Sequence, residues 1–361
     1  MSPLPSPRMH PAVLVEDAVH GLIDRGLRRA GWVPRVVPHV GYGLEGEWVR
    51  VLARVVLVPE GSLASRHPDD ARGWRRFVTQ SASGIPVQVE VGGTVTSVET
   101  DREGYVDVRL PADLPAGWGR ARLLLDDSPP TSAHLSIAAA DARHGLVSDV
   151  DDTVMVTMLP RPLVAFRNAF VSREVDRVPV PGMAALYRDL LAAHPDTFVV
   201  YLSTGAWNVA SAIGRFLQRH GYPPGPALLT DWGPAPTGWF RSGQQHKITE
   251  LRRLLVDFPQ LSWILVGDDG QHDPSTYAQI AREHPGRVDA VLIRQLSLPE
   301  QVVRHGRLDG EADEADDEPA DLGRAAHPEH EPGHEAGARR TGRGADGAAL
   351  TLEARRLGLL D

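Results

Sequence analysis

Between residues 48 and 140 apolar and polar side chains alternate with a period of two. Val87, Val89 and Val91 are separated by Gln88 and Glu90, and Val106, Val108 and Leu110 by Asp107 and Arg109. That alternation predicts strands with one buried face. Further strands are expected over 48–58, 94–99, 120–125 and 134–138, punctuated by Gly92-Gly93 and Pro129-Pro130. Several short strands with regular turn signals predict an all-β, sandwich-like domain over residues 44–140. No catalytic cluster falls within it.

Beyond residue 140 the pattern changes to uninterrupted apolar runs alternating with helical periodicity. The runs lie at 146–150, 198–202, 227–230, 263–266 and 288–293. Helices are expected from Pro181, which suits a first helical turn, and over 207–220, 246–256 and 274–282. Five such runs predict a parallel sheet with helices on both faces, over residues 141–303. Sheets of this kind bind ligands at the carboxyl ends of their strands.

The two ends read differently. In the N-terminal segment, residues 1–43, Leu14, Val15, Ala18, Val19, Leu22 and Ile23 recur at helical spacing and predict an amphipathic helix over 11–30. Arg25, Arg28 and Arg29 gather where cations complement the helix dipole. A helix packed on the body is expected; a helix lying on a membrane surface is the alternative. Residues 304–361 are rich in Gly, Ala, Glu, Asp, Arg and His, a composition that predicts an acidic disordered tail. Within it 350–360 carries a short helical pattern, and His327, His330 and His334 are expected to be solvated. Deleting such a tail is expected to leave the thermal transition unchanged.

Charge has to be located before it informs. The 361 residues carry a net charge of −9, and residues 309–361, with 14 acidic and six basic side chains, hold −8 of it. The body is nearly neutral and lacks the basic bias of a nucleic-acid-binding protein. The absence of cysteine excludes disulfides, thiolate metal sites and cysteine nucleophiles. No apolar run is long enough to span a bilayer. No basic segment leads into an apolar core near residue 1, so a cytoplasmic protein is expected, with its oligomeric state open.

Candidate chemistry sits at three expected strand ends and on one helix. Ser148-Asp149-Val150-Asp151-Asp152-Thr153 follows the first run of the second domain. Carboxylates this close repel one another, and a hard divalent cation removes that penalty; an acidic turn or helix cap is the plainer alternative. Gly267-Asp268-Asp269-Gly270-Gln271-His272-Asp273 follows the fourth run, and in a parallel sheet both acidic clusters reach one edge. Tyr201-Leu202-Ser203-Thr204-Gly205 ends the second run in hydroxyls. Lys247 is the one lysine among 38 basic residues, placed where a compact cation can reach a phosphoryl group.

In this order the four elements resemble the haloacid dehalogenase superfamily over residues 144–296. The runs Asp149-Val150-Asp151-Asp152-Thr153-Val154, Phe166-Arg167-Asn168-Ala169-Phe170, Pro179-Val180-Pro181-Gly182-Met183 and Gly238-Trp239-Phe240-Arg241-Ser242 are similar to the actin-patch phosphatidate phosphatase family and its bacterial members. Val36-Val37-Pro38-His39-Val40-Gly41-Tyr42-Gly43 also resembles bacterial members.

The resemblance implies an Mg²⁺-dependent phosphatase of lipid phosphates. Asp149 would be the nucleophile and Asp151 the acid–base; Thr153 and Ser203 would orient nucleophile and phosphate. Lys247 would neutralise phosphoryl charge. Mg²⁺ would be held by Asp149, the Asp151 backbone carbonyl and Asp268, with Asp273 in support. Asp152 and Asp269 would be secondary, and His272 a hydrogen-bonding support. The 27 residues from Val154 to Val180 are too few for a full cap domain, which would leave the site open to a bulky or membrane-held substrate. Met155, Met158, Leu159, Leu163, Phe166 and Phe170, with Trp239 and Phe240, would form an apolar mouth or core, and Arg161, Arg167 and Arg241 would meet anionic headgroups at a peripheral membrane contact. A soluble phosphomonoester or phosphoprotein is the alternative substrate, and a non-enzymatic scaffold the alternative role.

Overall fold

The twelve-residue run Trp48-Val49-Arg50-Val51-Leu52-Ala53-Arg54-Val55-Val56-Leu57-Val58-Pro59 is apolar on both of its alternating faces, and it becomes the strand that joins the two halves of the molecule. In the computed structural model the described residues are 26, 27, 29–61, 80–126, 128–156, 177–230, 243–270, 272–297, 300 and 340–361.

The first half is one continuous nine-stranded sheet: β1 (Trp32–Pro38), β2 (Gly41–Leu44), β3 (Trp48–Pro59), β4 (Gln80–Ser81), β5 (Pro86–Val91), β6 (Thr94–Glu99), β7 (Tyr105–Pro111), β8 (Gly117–Leu124) and β9 (Thr131–Ala138). β3 pairs antiparallel with β1 and β2 along one edge and with β4 and β7 along the other. Its odd-numbered residues Val49, Val51, Ala53, Val55 and Leu57 fill a core with Val87, Val89, Leu123, Leu135 and Ile137. Its even-numbered Trp48 and Leu52 belong to the core of the second half instead. Burial on both faces explains why β3 lacks the alternation of its neighbours.

The second half is a six-stranded parallel sheet ordered β12-β11-β10-β13-β14-β15. Its strands are β10 (His144–Asp149), β11 (Phe198–Ala206), β12 (Ala227–Thr230), β13 (Ser262–Asp268), β14 (Val288–Arg294) and β15 (Arg340–Gly344). The helices are α1 (Met183–Ala193), α2 (Ala210–Arg219), α3 (Gly243–Asp257), α4 (Asp273–Glu283) and α5 (Gly347–Arg356). Along β10, Val147 packs beside Leu251 of α3 and Ile280 of α4, whereas Ser148 bonds Tyr187 of α1. The helices therefore cover both faces. The chain runs outward from β10 through β11 and β12, then returns to its other side at β13. The switch point of the sheet lies between β10 and β13, where such sheets place their ligands.

The two halves meet through aromatic packing of Trp48 and Tyr42 on Phe258 and Phe198. A buried polar network lies beside it. Arg50 donates to Asp107, to the Tyr42 hydroxyl and to Glu250, and Tyr42 donates to Asp257.

Two expectations about the chain ends are corrected. Residues 304–361 are not disordered throughout. Arg340–Gly344 adds a sixth strand beside β14, and α5 packs on α1 with Leu350, Ala354 and Leu359 buried. The strand is polar and gains its place from edge pairing and the helix that follows it. Residues 32–43 also do not belong to a separate N-terminal segment, because β1 and most of β2 fall there. Most of the helix expected over 11–30 and the three tail histidines lie outside the described residues.

Candidate active site

Three strand ends and two helices converge at the switch point. Asp149 is the last residue of β10, Ser203 lies on β11 next after the partner of Asp149, and Asp268 ends β13. Lys247 comes from α3, and Asp273 is the first residue of α4, at the helix end that favours a carboxylate. Asp273 packs against Gly267, where a Cβ would overlap Asp273 Oδ2.

Lys247 Nζ lies 2.8 Å from Asp149 Oδ1 and 2.5 Å from Asp273 Oδ1. Oxygens of Asp149, Asp268 and Asp273 all fall within 4.8 Å of one another, and all three residues are buried. Thr153 Oγ1 donates to Asp149 Oδ2 at 3.4 Å, and Ser203 Oγ donates to Asp151 Oδ2 at 3.1 Å. The Gly205 amide donates to Ser203 Oγ at 2.9 Å and fixes that hydroxyl. The Gly270 amide donates to Asp268 Oδ1 at 2.7 Å. Asp151 is half-buried.

The electrostatics follow from three buried carboxylates facing one buried ammonium. Burial raises Asp149 to about 7, against the pull of Lys247 and with the push of Asp273 and Asp151. Burial, then the Asp273 and Asp149 charges, raise Asp268 well above the usual carboxylate range. For Lys247 burial works against the charge, but Asp149 and Asp273 outweigh it and keep the ammonium protonated. With all groups ionised, these three carboxylates and one lysine leave two negative charges unbalanced. Asp273 Oδ2 is buried with no hydrogen-bond partner among the described residues. An all-oxygen set with that charge deficit and an orphaned buried acceptor fits a hard divalent cation.

The remaining candidates separate. Asp269 turns away from the cluster, and its Oδ1 accepts from the Leu296 amide at 2.8 Å. Asp273, rather than Asp269, joins Asp268. Asp152 has a left-handed φ of 58° and shapes the turn between Asp151 and Thr153. His272 acts through its backbone, whose carbonyl accepts from Thr276 and Ser275 at the start of α4. Met155 is core rather than part of an exposed mouth. Met158, Leu159, Arg161, Leu163, Phe166, Arg167, Phe170, Trp239, Phe240 and Arg241 lie outside the described residues.

Sequence reasoning missed Tyr187, whose hydroxyl meets Ser148 Oγ at 2.6 Å next to Asp149, and Arg294, which donates to the Asp152 carbonyl at 2.7 Å. Arg294 had a signal, since a cation closes the apolar run Val288-Asp289-Ala290-Val291-Leu292-Ile293. Tyr187 had none beyond helical periodicity.

Residues 144–295 match the family model described as the catalytic domain of phosphatidate phosphatase APP1. Over 153 residues the chain is 31% identical to phosphatidate phosphatase APP1 of Saccharomyces cerevisiae, which covers 42% of this chain and 25% of that protein. The chain thus aligns with a quarter of that relative's length. Among solved structures, the HAD domain of effector protein Lem4 from Legionella pneumophila covers 43% of this chain and 86% of its own, with 14% identity and a TM-score of 0.29. The carbohydrate acetylesterase XAC1771 from Xanthomonas citri covers 73% and 68%, with 11% identity and a TM-score of 0.28. Superpositions this loose carry no argument.

Proposed function

We infer, from the match of residues 144–295 to the model of the APP1 catalytic domain, that this chain is a phosphoric monoester hydrolase with a phosphatidate-type lipid phosphate as its substrate. The observation that carries the reading is the convergence of Asp149, Lys247, Asp268 and Asp273 at the switch point of the parallel sheet. A partner-binding scaffold has no use for three buried carboxylates on one lysine.

Asp149 attacks phosphorus, forming an aspartyl phosphate as the bond to the leaving oxygen breaks. Asp151 gives that oxygen its proton, then takes a proton from the water that hydrolyses the aspartyl phosphate, and so is regenerated. Its half-buried place and its bond from Ser203 suit a group that must meet both substrate and water. Thr153 orients Asp149. Lys247 aligns Asp149 and balances charge on the phosphoryl oxygens. Asp149, Asp268 and Asp273, with the Asp151 carbonyl, would hold Mg²⁺. When bound, the ion supplies charge neutralisation that one lysine cannot.

No helix among the described residues is long and apolar enough to cross a membrane; the lipid reading is proposed with a peripheral encounter with the bilayer. The test compares turnover of phosphatidate in mixed micelles with that of a short-chain soluble phosphomonoester, at equal Mg²⁺. Faster turnover of phosphatidate supports the lipid assignment. Efficient turnover of the soluble ester alone replaces it with a soluble substrate.

A further inference from the structure

Arg294 ends β14 in register with Asp268 on β13, and it is only 5% exposed. Its guanidinium is divided among three partners. Nη1 donates to the Asp152 carbonyl at 2.7 Å, Nε donates to the Ala345 carbonyl at 3.2 Å, and Nη2 pairs with Glu300 at 2.6 Å. Asp152 stands between Asp151 and Thr153 with its backbone in the left-handed region. A non-glycine residue held there persists only where its surroundings over-determine it. Ala345 lies between β15 and α5. A single buried cation therefore ties the turn that carries the candidate acid–base to the last segment of the chain.

A second tie runs in parallel. The turn hydrogen-bonds the segment entering α1, through Val156 N to Val178 O and Val180 N to Val154 O. That segment leads to Pro181, whose carbonyl accepts from the Gly347 amide at 2.9 Å. Gly182 and Gly347 pack backbone to backbone, and a Cβ on Gly347 would overlap Gly182. Residues 340–361 lie outside the stretch that matches the family model. They nevertheless reach the catalytic turn from two sides.

We propose that Arg294 is a positioning residue of this site, and that docking of residues 340–361 sets the Asp149–Thr153 turn into its working geometry. The inference rests on the phosphatase reading given above. Releasing the Asp152 carbonyl lets the turn relax and moves Asp151 and Thr153, on either side of it, relative to Asp149. Misplaced groups cost turnover more than substrate affinity. With its C-terminal strand and helix displaced, the chain is an inactive form of the same enzyme.

The test uses full-length wild type, Arg294→Met, Gly347→Val and the double variant. It measures kcat and KM on phosphatidate in mixed micelles with Mg²⁺, and amide hydrogen exchange over residues 150–156 and 340–361. Each single substitution is expected to lower kcat about tenfold or more, with KM within about twofold. The double variant is expected to lose less than the product of the two single losses, because both parallel ties hold the same turn. Exchange over 150–156 rises in all three. If Arg294→Met does not fold, Arg294→Lys serves, since one ammonium cannot reproduce the planar fork that holds three partners. Wild-type kcat in Arg294→Met or its substitute overturns the proposal, as does wild-type kcat in a Gly347→Val protein whose residues 340–361 exchange freely. Wild type that releases phosphate from neither phosphatidate nor a short-chain soluble phosphomonoester defeats the phosphatase reading instead. Exchange over 150–156 that stays at the wild-type level in both single variants overturns the linkage itself, whatever the activity.

Discussion

Arg50 Nη1 of the β domain pairs with Glu250 Oε2 at 3.1 Å, and Glu250 lies three residues beyond Lys247 on α3. The helix that supplies the site's cation is thus held from behind by the neighbouring sheet. Both partners are buried, and Arg50 also serves Tyr42 and Asp107. Removing Arg50 leaves the buried Glu250 with the more exposed Arg253, at 3.2 Å, as its remaining cation. Arg50→Met is expected to cost about 3 kcal/mol of stability, and adding Glu250→Gln to recover part of it. Urea unfolding of the two variants beside wild type checks both expectations.

The acidic cluster makes a prediction about metal that needs no turnover. Asp268 is buried among like charges, so Asp268→Asn removes repulsion and is expected to raise the melting temperature without metal. Wild type is expected to melt higher as Mg²⁺ is added, because an ion that binds only the folded state stabilises it. Asp268→Asn is expected to lose most of that increment. Thermal melts across an Mg²⁺ series measure both effects.

The C-terminal helix is a structural member. Leu350 and Ala354 are fully buried, and Leu359 is nearly so. Leu350→Ala is expected to destabilise the protein by about 2–4 kcal/mol through lost burial and the cavity left behind. Chemical denaturation measures this directly, and a loss within the error of the method would show that the helix does not dock in solution.

Most elements were legible because the sequence marks them in two ways at once. The run Ala227–Thr230 is apolar and bounded by Pro226 and a polar exit, and it forms a strand over those same residues. β15 was illegible because Arg340-Thr341-Gly342-Arg343-Gly344 has neither alternation nor an apolar run; only pairing with β14 makes it a strand. Its helix showed as periodicity, but composition placed both in a disordered tail. At the site, Asp149 and Asp268 were legible as strand-end carboxylates. The choice between Asp268 and Asp269 depends on which of them the Leu296 amide captures, a contact between distant segments that spacing does not encode. The β domain's grip on α3 was likewise hidden, since Arg50 reads as one polar position within an apolar strand.

His39 gives the pH dependence. Burial, then the charge of Arg54, hold its imidazole neutral down to about 3, from an ordinary value of 6.5. Its ring packs on Trp207 at 4.6 Å, next to the strand that carries Ser203. The unfolded chain binds a proton at this residue between those two values and the folded chain does not. Its contribution therefore favours folding above 6.5 and is lost as pH falls through that window, by up to about 1.4 kcal/mol for each pH unit. His39→Phe keeps an aromatic ring against Trp207 and removes the titration. Its stability is expected to fall less steeply than that of wild type from pH 6.5 toward acid, as melts over a pH series would show.

Hydrolysis of a phosphomonoester through Asp149 is checked by the initial rate of phosphate release from phosphatidate by wild type and Asp149→Asn. The substitution keeps the size of the side chain and removes the nucleophile. The two proteins are compared at equal concentration, with Mg²⁺, after their melting curves show both to be folded. Mg²⁺-dependent release by wild type is expected, with a rate lower by about three orders of magnitude or more for Asp149→Asn if Asp149 is the nucleophile. Release by Asp149→Asn within about tenfold of wild type would contradict it, because a side chain whose loss costs so little is not the attacking group.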